Sequence, residues 1–464
     1  MRPLPLNKSN PSYLNKSIIS VFMSIFILMA AVSFPSFAQE SSKEEVSTPL
    51  NQDQIYDNLK LFGEVFDRIR AEYVDVPDEQ ELIRAAIDGM LTSLDPHSAY
   101  LTPKSYNDMM QDTSGKFGGL GIQVTMEDGL VKIVSPIDDT PASRAGLLAN
   151  DLIIKLDDKQ VKGMSLDDAV TIMKGAIGTK IVLTIIREGV ADPIEYEITR
   201  DIISVSAARW YIEQDVGVLR LTQFSGQAFT GIEKGIKAIF EERDNVAPLG
   251  LILDLRNNPG GLVDQAVFVA DAFLDKGVIV LTRGRTERES SRYEAQADDL
   301  DRLISDIPLI VLINGGSASS SEILAGALQD QKRATLVGTR SFGKGTVQNI
   351  IDLGNGDGAM RLTTSRYYTP SNRSIQALGI APDIEIFQNV PDELKGKDTI
   401  LNEAELEGSI ESEENTEKEN ENKEEDVGSS VYVPSDKTKD TQLNYAIDLI
   451  LGKETNEAFP PKAE

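Results

Sequence analysis

The chain has 464 residues and a formal net charge of −28 at pH 7, which is length for about three domains. That charge excludes nucleic acid and anionic lipid as principal partners, since both require basic surface. With no cysteine and one histidine, disulfide, zinc and iron–sulfur chemistry drop out, and no metal or cofactor is expected.

Met1 to Gln39 carries Arg2, Lys8 and Lys16 but no acidic residue, then an apolar stretch from Ile18 to Val32 and the small-residue site Ser36-Phe37-Ala38. This reads as a signal peptide over residues 1–38, cut after Ala38, with export to a bacterial periplasm or cell envelope. The alternative is an uncleaved anchor in the inner membrane, although the apolar run falls short of the roughly 20 residues a span needs. Residues 39–112 are helical in pattern, with Leu59, Phe62, Val65, Phe66 and Ile69 at helical spacing and Ile83, Ile87, Met90 and Leu91 repeating it; these are expected to be core. His97, in Asp95-Pro96-His97-Ser98, is expected to serve a turn or cap.

Residues 113–190 form a unit with its own signals. Gly118-Gly119-Leu120-Gly121-Ile122 leads into alternating strands at Ile122 to Met126 and Leu130 to Ser135. A further strand follows at Asp151 to Leu156, then a helix starting at Ser165 with Leu166, Val170 and Met173 on one face, then a strand from Lys180. The segment resembles a PDZ domain. The resemblance implies that Gly118, Gly119, Leu120, Gly121 and Ile122 bind a peptide's terminal carboxylate, with its last side chain toward Leu166, Val170 and Met173.

From 191 to 390 the pattern is α/β, with apolar strand candidates at Val216 to Leu221, Leu249 to Leu255, Val278 to Thr282 and Leu309 to Ile313. The last of these ends at Gly315 and Gly316 and is followed by Ser317, Ser319, Ser320 and Ser321 at a helix start. A hydroxyl there faces unpaired backbone N–H groups and the helix dipole, which stabilise an oxyanion. All four serines are candidate nucleophiles. The better base is Lys344, between Gly343 and Gly345, where packing against backbone would strip its hydration and lower its pKa. A phosphate-binding loop is the competing motif at 338–345, but it needs Ser or Thr where this chain has Gly345.

Ser317 to Ile323, Ala325 to Asp330 and Phe342 to Gln348 together resemble the carboxyl-terminal processing peptidases, or tail-specific proteases. The resemblance implies Ser319 as nucleophile, Lys344 as general base, and Asp330 and Gln348 as supporting polar residues. Asp330 lies three helical turns from Ser319, and Gln348 is within reach of the Lys344 amine from the same loop or strand. Asp254 to Gly261 also resembles the family, making Gly260, Gly261 and the Ser320 N–H the oxyanion-hole candidates. The helical region resembles one that forms a dimer contact in some members, which implies a homo-oligomer; an adaptor protein is a further partner.

After Val390, Asp392 to Asp426 holds fifteen Asp or Glu against four Lys, so residues 391–435 read as a solvated, disordered linker. Residues 436–464 are expected to hold a short helix. The reading is a multidomain α/β protein with a helical region, a PDZ domain (β with two helices) and an α/β serine-protease core. Its expected function is endoproteolysis by a Ser-Lys dyad, on envelope proteins with free apolar C-termini. The alternatives are an inert PDZ scaffold and a Ser-His hydrolase using His97.

Overall fold

The computed structural model describes residues 51–137, 139–397, 401–413 and 430–462. The expected signal segment and the acidic residues 414–429 lie outside the described residues. Two compact units divide after Pro77. The first contributes α1 (Gln52–Glu72), started by a reciprocal cap between Asn51 and Gln54. Not one residue of α1 is buried, and Leu59 is 61% exposed. The core role expected for its apolar stripe therefore fails, because helical period reports which face is apolar and not what covers it. Among the described residues, no helix is long and apolar enough to cross a membrane.

The second unit begins with α2 (Glu79–Thr92), whose Asp78 cap accepts the Gln80 and Glu81 N–H groups. Leu91 is buried there, but Ile83 and Met90 are exposed, which again corrects the expectation of core. After β1 (Ala99–Leu101) and α3 (Pro103–Ser114) comes a ribbon strand, β2 (Lys116–Gly119). The PDZ-like body follows: β3 (Ile122–Glu127), β4 (Leu130–Pro136), α4 (Pro141–Ala145), β5 (Leu152–Leu156), β6 (Lys159–Gln160), α5 (Leu166–Met173), β7 (Lys180–Ile186) and β8 (Ile194–Thr199). Its sheet runs in the order β3-β4-β5-β7-β8 with β6 on β5, so β3 is an edge. Alternation along β4, β5 and β7 sends Val131, Ile133, Ile153, Leu156, Ile181, Leu183 and Ile185 into one core. β9 (Asp201–Ser204) then pairs antiparallel with β2, so the body is entered and left through one two-stranded ribbon.

The remaining elements are β10 (Ala208–Glu213), β11 (Val216–Leu221), α6 (Ala228–Glu241), β12 (Gly250–Asp254), α7 (Val263–Asp271), β13 (Lys276–Gly284), β14 (Ser291–Gln296), α8 (Asp299–Ile304), β15 (Leu309–Ile313), α9 (Ser320–Asp330), β16 (Thr335–Gly338), β17 (Thr346–Asp352), β18 (Ala359–Tyr368), β19 (Ile384–Glu385) and α10 (Thr441–Ile450). The main sheet has the order β10-β11-β12-β15-β16-β19 and is parallel from β11 onward. Its central strands β12 and β15 are apolar at nearly every position because both faces are covered. Leu219, Leu251, Leu253, Leu309, Val311 and Ile313 face a core shared with α6, α7 and α9. Val218, Ile252, Ile310 and Leu312 face the other way, onto α10. A second sheet, β1-β18-β13-β14 with β17 on β18, stands beside the end of α9 and the Lys344 loop.

α10 is also held by charge. Arg256, 1% exposed, donates to both carboxylate oxygens of Asp440, at 2.8 Å each, and to both of Asp254. Burial works against its charge, and the two carboxylates more than offset it, so its pKa is raised. Asp440→Ala leaves part of a buried guanidinium unpaired and is expected to cost about 3–5 kcal/mol, read as a lower urea midpoint. The linker expectation also needs correcting. Residues 401–413 and 430–435 are described, and Glu403 is fully buried. Mean composition concealed apolar and hydrogen-bonding positions, Leu406, Ser409 and Ile410 among them, spaced between the acids.

Candidate active site

Strand β15 ends in a tight turn whose serines are sorted by what their hydroxyls do. Ser317 donates to Leu255 O, Ser320 to Gly261 O and Ser321 to Asn258 O, and all three are fully buried. Each of those hydroxyls is spent holding the turn against the neighbouring strand end. Ser319 differs: it is 9% exposed, caps α9 with φ +56°, and has its N–H, not its hydroxyl, taken by the Glu322 carboxylate at 2.7 Å. A non-glycine residue at positive φ is strained and persists only where its surroundings hold it. The Ser320 N–H, at the first position of α9, has no intrahelical acceptor.

Glu322 is the residue that sequence reasoning missed. Its fully buried carboxylate accepts from Ser319 N, Ser341 Oγ (2.6 Å), Gly343 N (2.7 Å) and Lys344 N (2.9 Å). One oxygen, Oε2, receives both the Ser319 and the Lys344 amides, which keeps the serine turn and the lysine loop within two hydrogen-bond lengths. The signal available was the Ser-x-x-Glu spacing of a capping box. Burial pushes the Glu322 carboxyl up to about 7, against the pull of its four hydrogen bonds. The same geometry sets aside a phosphate-binding loop, because the loop's N–H groups already hold a carboxylate from within the fold.

For Lys344, burial is the largest influence and lowers its pKa; Arg361 adds to this, while Glu403, Glu322 and Asp95 oppose it. Gly345 is required sterically, since a Cβ there would stand 2.2 Å from Gln376 N. Tyr367 lies under the same turn, with its N–H on Gly345 O, and burial pushes its phenol up while the Ser319 side chain pulls the other way.

The peptidase family S41 model matches residues 215–386, a PDZ domain model matches 118–198, and the model for the activating protease CtpB N-terminal domain matches 20–105. A carboxy-terminal-processing protease of Bartonella bacilliformis is 51% identical over 414 residues, which is 89% of this chain and 93% of that protein. The chain belongs to peptidase family S41. It is a serine-type peptidase carrying a PDZ domain. A carboxyl-terminal-processing protease of Synechocystis sp. is 38% identical over 324 residues, covering 68% of this chain and 74% of its own length. A solved photosystem II D1 C-terminal processing protease aligns at 28% identity and TM-score 0.41, over 75% of this chain and 96% of that one.

Within this S41 chain the expected site residues are only partly gathered. Ser319, Ser320 and Gly260 meet: a Cβ on Gly260 would fall 2.9 Å from Ser319 Cβ and 3.0 Å from Ser320 N. Gly260, however, gives its own N–H to Asn258 Oδ1 at 3.0 Å, so it contributes space and not an oxyanion donor. Gly261, at φ +142°, packs against Phe224 O, which leaves no room for a side chain. Asp330 is not in the site. It ends α9 about 15 Å from Ser319 and anchors Ser371 (2.9 Å) and Arg373 (2.5 Å). Despite burial, hydrogen bonds from Thr369 and Ser371 and the Arg373 charge hold its carboxyl low. The three-turn spacing from Ser319 holds, but the supporting role that the resemblance implied for Asp330 does not follow from it, because its carboxylate is taken by Ser371 and Arg373. The Gln348 amide nitrogen donates to Thr346 Oγ1 (3.0 Å) and Thr363 Oγ1 (3.2 Å), not to Lys344. His97 directs its ring at Glu403.

In the PDZ domain, Gly118 and Gly119 belong to the β2–β9 ladder, opposite Ile202 and Asp201, instead of an open loop. Gly121 is at φ +79° with Thr140 directly behind it. Leu120 and Met173 are buried in the domain core, while Ile122 on edge strand β3 and Leu166 and Val170 on α5 are half-buried and pack against it.

Proposed function

We propose that this protein is an exported serine endopeptidase in which Ser319 is the nucleophile and Lys344 the general base. It grips the apolar C-terminus of an envelope protein between β3 and α5 and cuts upstream. The observation that carries the dyad is the Glu322 carboxylate, which joins Ser319, the serine of this turn whose hydroxyl is not given to a backbone carbonyl, to a desolvated lysine. The neutral Lys344 amine takes the Ser319 proton as Oγ attacks the peptide carbonyl, and the Ser320 N–H at the start of α9 receives the developing oxyanion. The protonated amine then delivers that proton to the leaving nitrogen, and water repeats the sequence to release the acyl group. Labelling by a fluorophosphonate that maps to Ser319 tests the nucleophile, and a mature N-terminus at Gln39 tests export.

The base works only uncharged, so its lowered pKa sets a direction. The rate is expected to fall as pH drops through the Lys344 value and the amine protonates, and to hold at higher pH. A profile that instead declines from low to neutral pH would remove Lys344 as base.

Tail selection rests on the PDZ domain, with its exposed edge strand and half-buried apolar positions. Peptides identical except for a free apolar end, an amidated end or a terminal Asp are expected to separate. The last two lose charge-assisted hydrogen bonds or bury an unpaired charge, and kcat/KM should drop by about 10- to 100-fold. Equal constants for all three would leave the PDZ domain as a spacer.

A further inference from the structure

Glu322 secures the amide of Lys344, but the next amide along is secured from elsewhere in the chain. The Gly345 N–H donates to Gln376 Oε1 at 2.9 Å. Gln376, fully buried, donates in turn to Glu403 Oε1 (2.9 Å) and to Ile410 O (2.9 Å). Glu403 also receives Ser409 Oγ and lies 2.8 Å from His97 Nε2, while its own N–H donates to Phe342 O at the start of the lysine loop. His97 is fixed from its other side: Asp95 accepts its N–H and Arg361 Nε donates to its carbonyl.

We propose that His97, Glu403 and Gln376 are a positioning relay for Lys344, so that residues 403–410, which follow the catalytic sheets in sequence, complete the active site. This rests on Lys344 being the base. Two consecutive amides, Lys344 and Gly345, are received by two buried side chains from separate segments, which fixes the peptide plane from which the lysine side chain departs. Gly345 has no Cβ, which is what lets Gln376 come so close. The relay also brings a charge. The groups facing Lys344 are Arg361, which disfavours its ammonium form, and Glu403, Glu322 and Asp95, which favour it. Glu403 is therefore both a strut and one of three negative charges set against the lysine.

The test uses the full chain, a quenched peptide substrate and three variants. His97→Ala is expected to lower kcat by about 10- to 100-fold, the cost of a catalytic group displaced on the ångström scale, with KM within about two-fold of the parent. His97→Gln, which keeps an amide donor toward Glu403, is expected to recover most of that loss. Glu403→Gln preserves shape, with the His97 tautomer free to adapt, but removes the charge. The acid limb of the pH–rate profile should then move to lower pH, because the Lys344 ammonium has lost a partner; Glu322, on α9, holds the amides of the same loop and titrates beside it, so the limb belongs to both groups. A residue that merely supported the fold would not move that limb. Wild-type kcat in His97→Ala, or an unmoved acid limb in Glu403→Gln, overturns the relay. Should Glu403→Gln fail to fold, the His97→Ala and His97→Gln pair decides alone. Lys344→Ala separates this from the reading beneath it: turnover in that variant would defeat the dyad itself, whereas a dead Lys344→Ala beside unaffected His97 and Glu403 variants would defeat only the relay.

Discussion

Replacing Ser319 by alanine is expected to abolish peptide turnover, a loss of at least about 10⁴-fold in kcat, with the fold retained. The expectation of an intact fold has a structural basis. Ser317, Ser320 and Ser321 each give their hydroxyl to a backbone carbonyl, while Ser319 gives the turn its N–H, which alanine also has, and its hydroxyl meets the Tyr367 side chain beneath the turn. Thermal midpoints should therefore match the parent, and Ser320→Ala, which frees Gly261 O, should be the less stable of the two. Lys344→Arg is expected to be as inactive as Ser319→Ala, because guanidinium stays protonated and cannot accept the hydroxyl proton. Loss of fluorophosphonate labelling in both variants, with labelling in the parent, is the confirming pattern. A parent that neither labels nor cleaves would favour the inert scaffold instead.

Glu322 carries the second large effect. Its carboxylate is the common acceptor for four donors, three of them backbone amides or hydroxyls of the loop that carries Lys344. Glu322→Ala strands those donors in a fully buried site, with an expected cost of about 3–5 kcal/mol and no measurable turnover. Glu322→Gln is the sharper variant. Its size is unchanged, but its amide nitrogen turns two donors toward a cluster made of donors, so the serine turn and lysine loop must separate and kcat should fall far more than stability. The pH dependence has a definite sign. The folded-state pKa, about 7, lies above the ordinary value of about 4.3, so this group favours folding most below the ordinary value, and that contribution is lost as pH rises through about 7. Urea unfolding at pH 5 and pH 8 should show that component in the parent and not in Glu322→Gln. An identical pH difference in both proteins would assign it to other groups.

The order of elements was legible in the sequence because both periods were clean. Val216 to Leu221 and Leu309 to Ile313 are strands at those bounds, since short, mainly apolar runs of that length between turn residues suit a strand covered on both faces. Ser165 and Asp168 announced α5 by their reciprocal cap. In α1 the same clarity misled, because periodicity specifies a face without specifying a partner.

What the sequence by itself determined, then, is the set of local structures and the residue types able to do acyl-transfer chemistry: a serine-rich turn opening a helix and a lysine between glycines. Which serine is available was decided only by tertiary structure, because it depends on three carbonyls contributed by strand ends about sixty residues upstream. The same holds for Asp330, which shares a helix with Ser319 yet serves Arg373 at the far end. It holds for residues 403–410, whose acidic surroundings read as solvated chain until the fold supplied His97 and Gln376 as partners for Glu403. Local conformation depends on neighbours within a few residues and survives reading along the chain, whereas the satisfaction of a buried polar group depends on donors and acceptors that only folding brings within 3 Å.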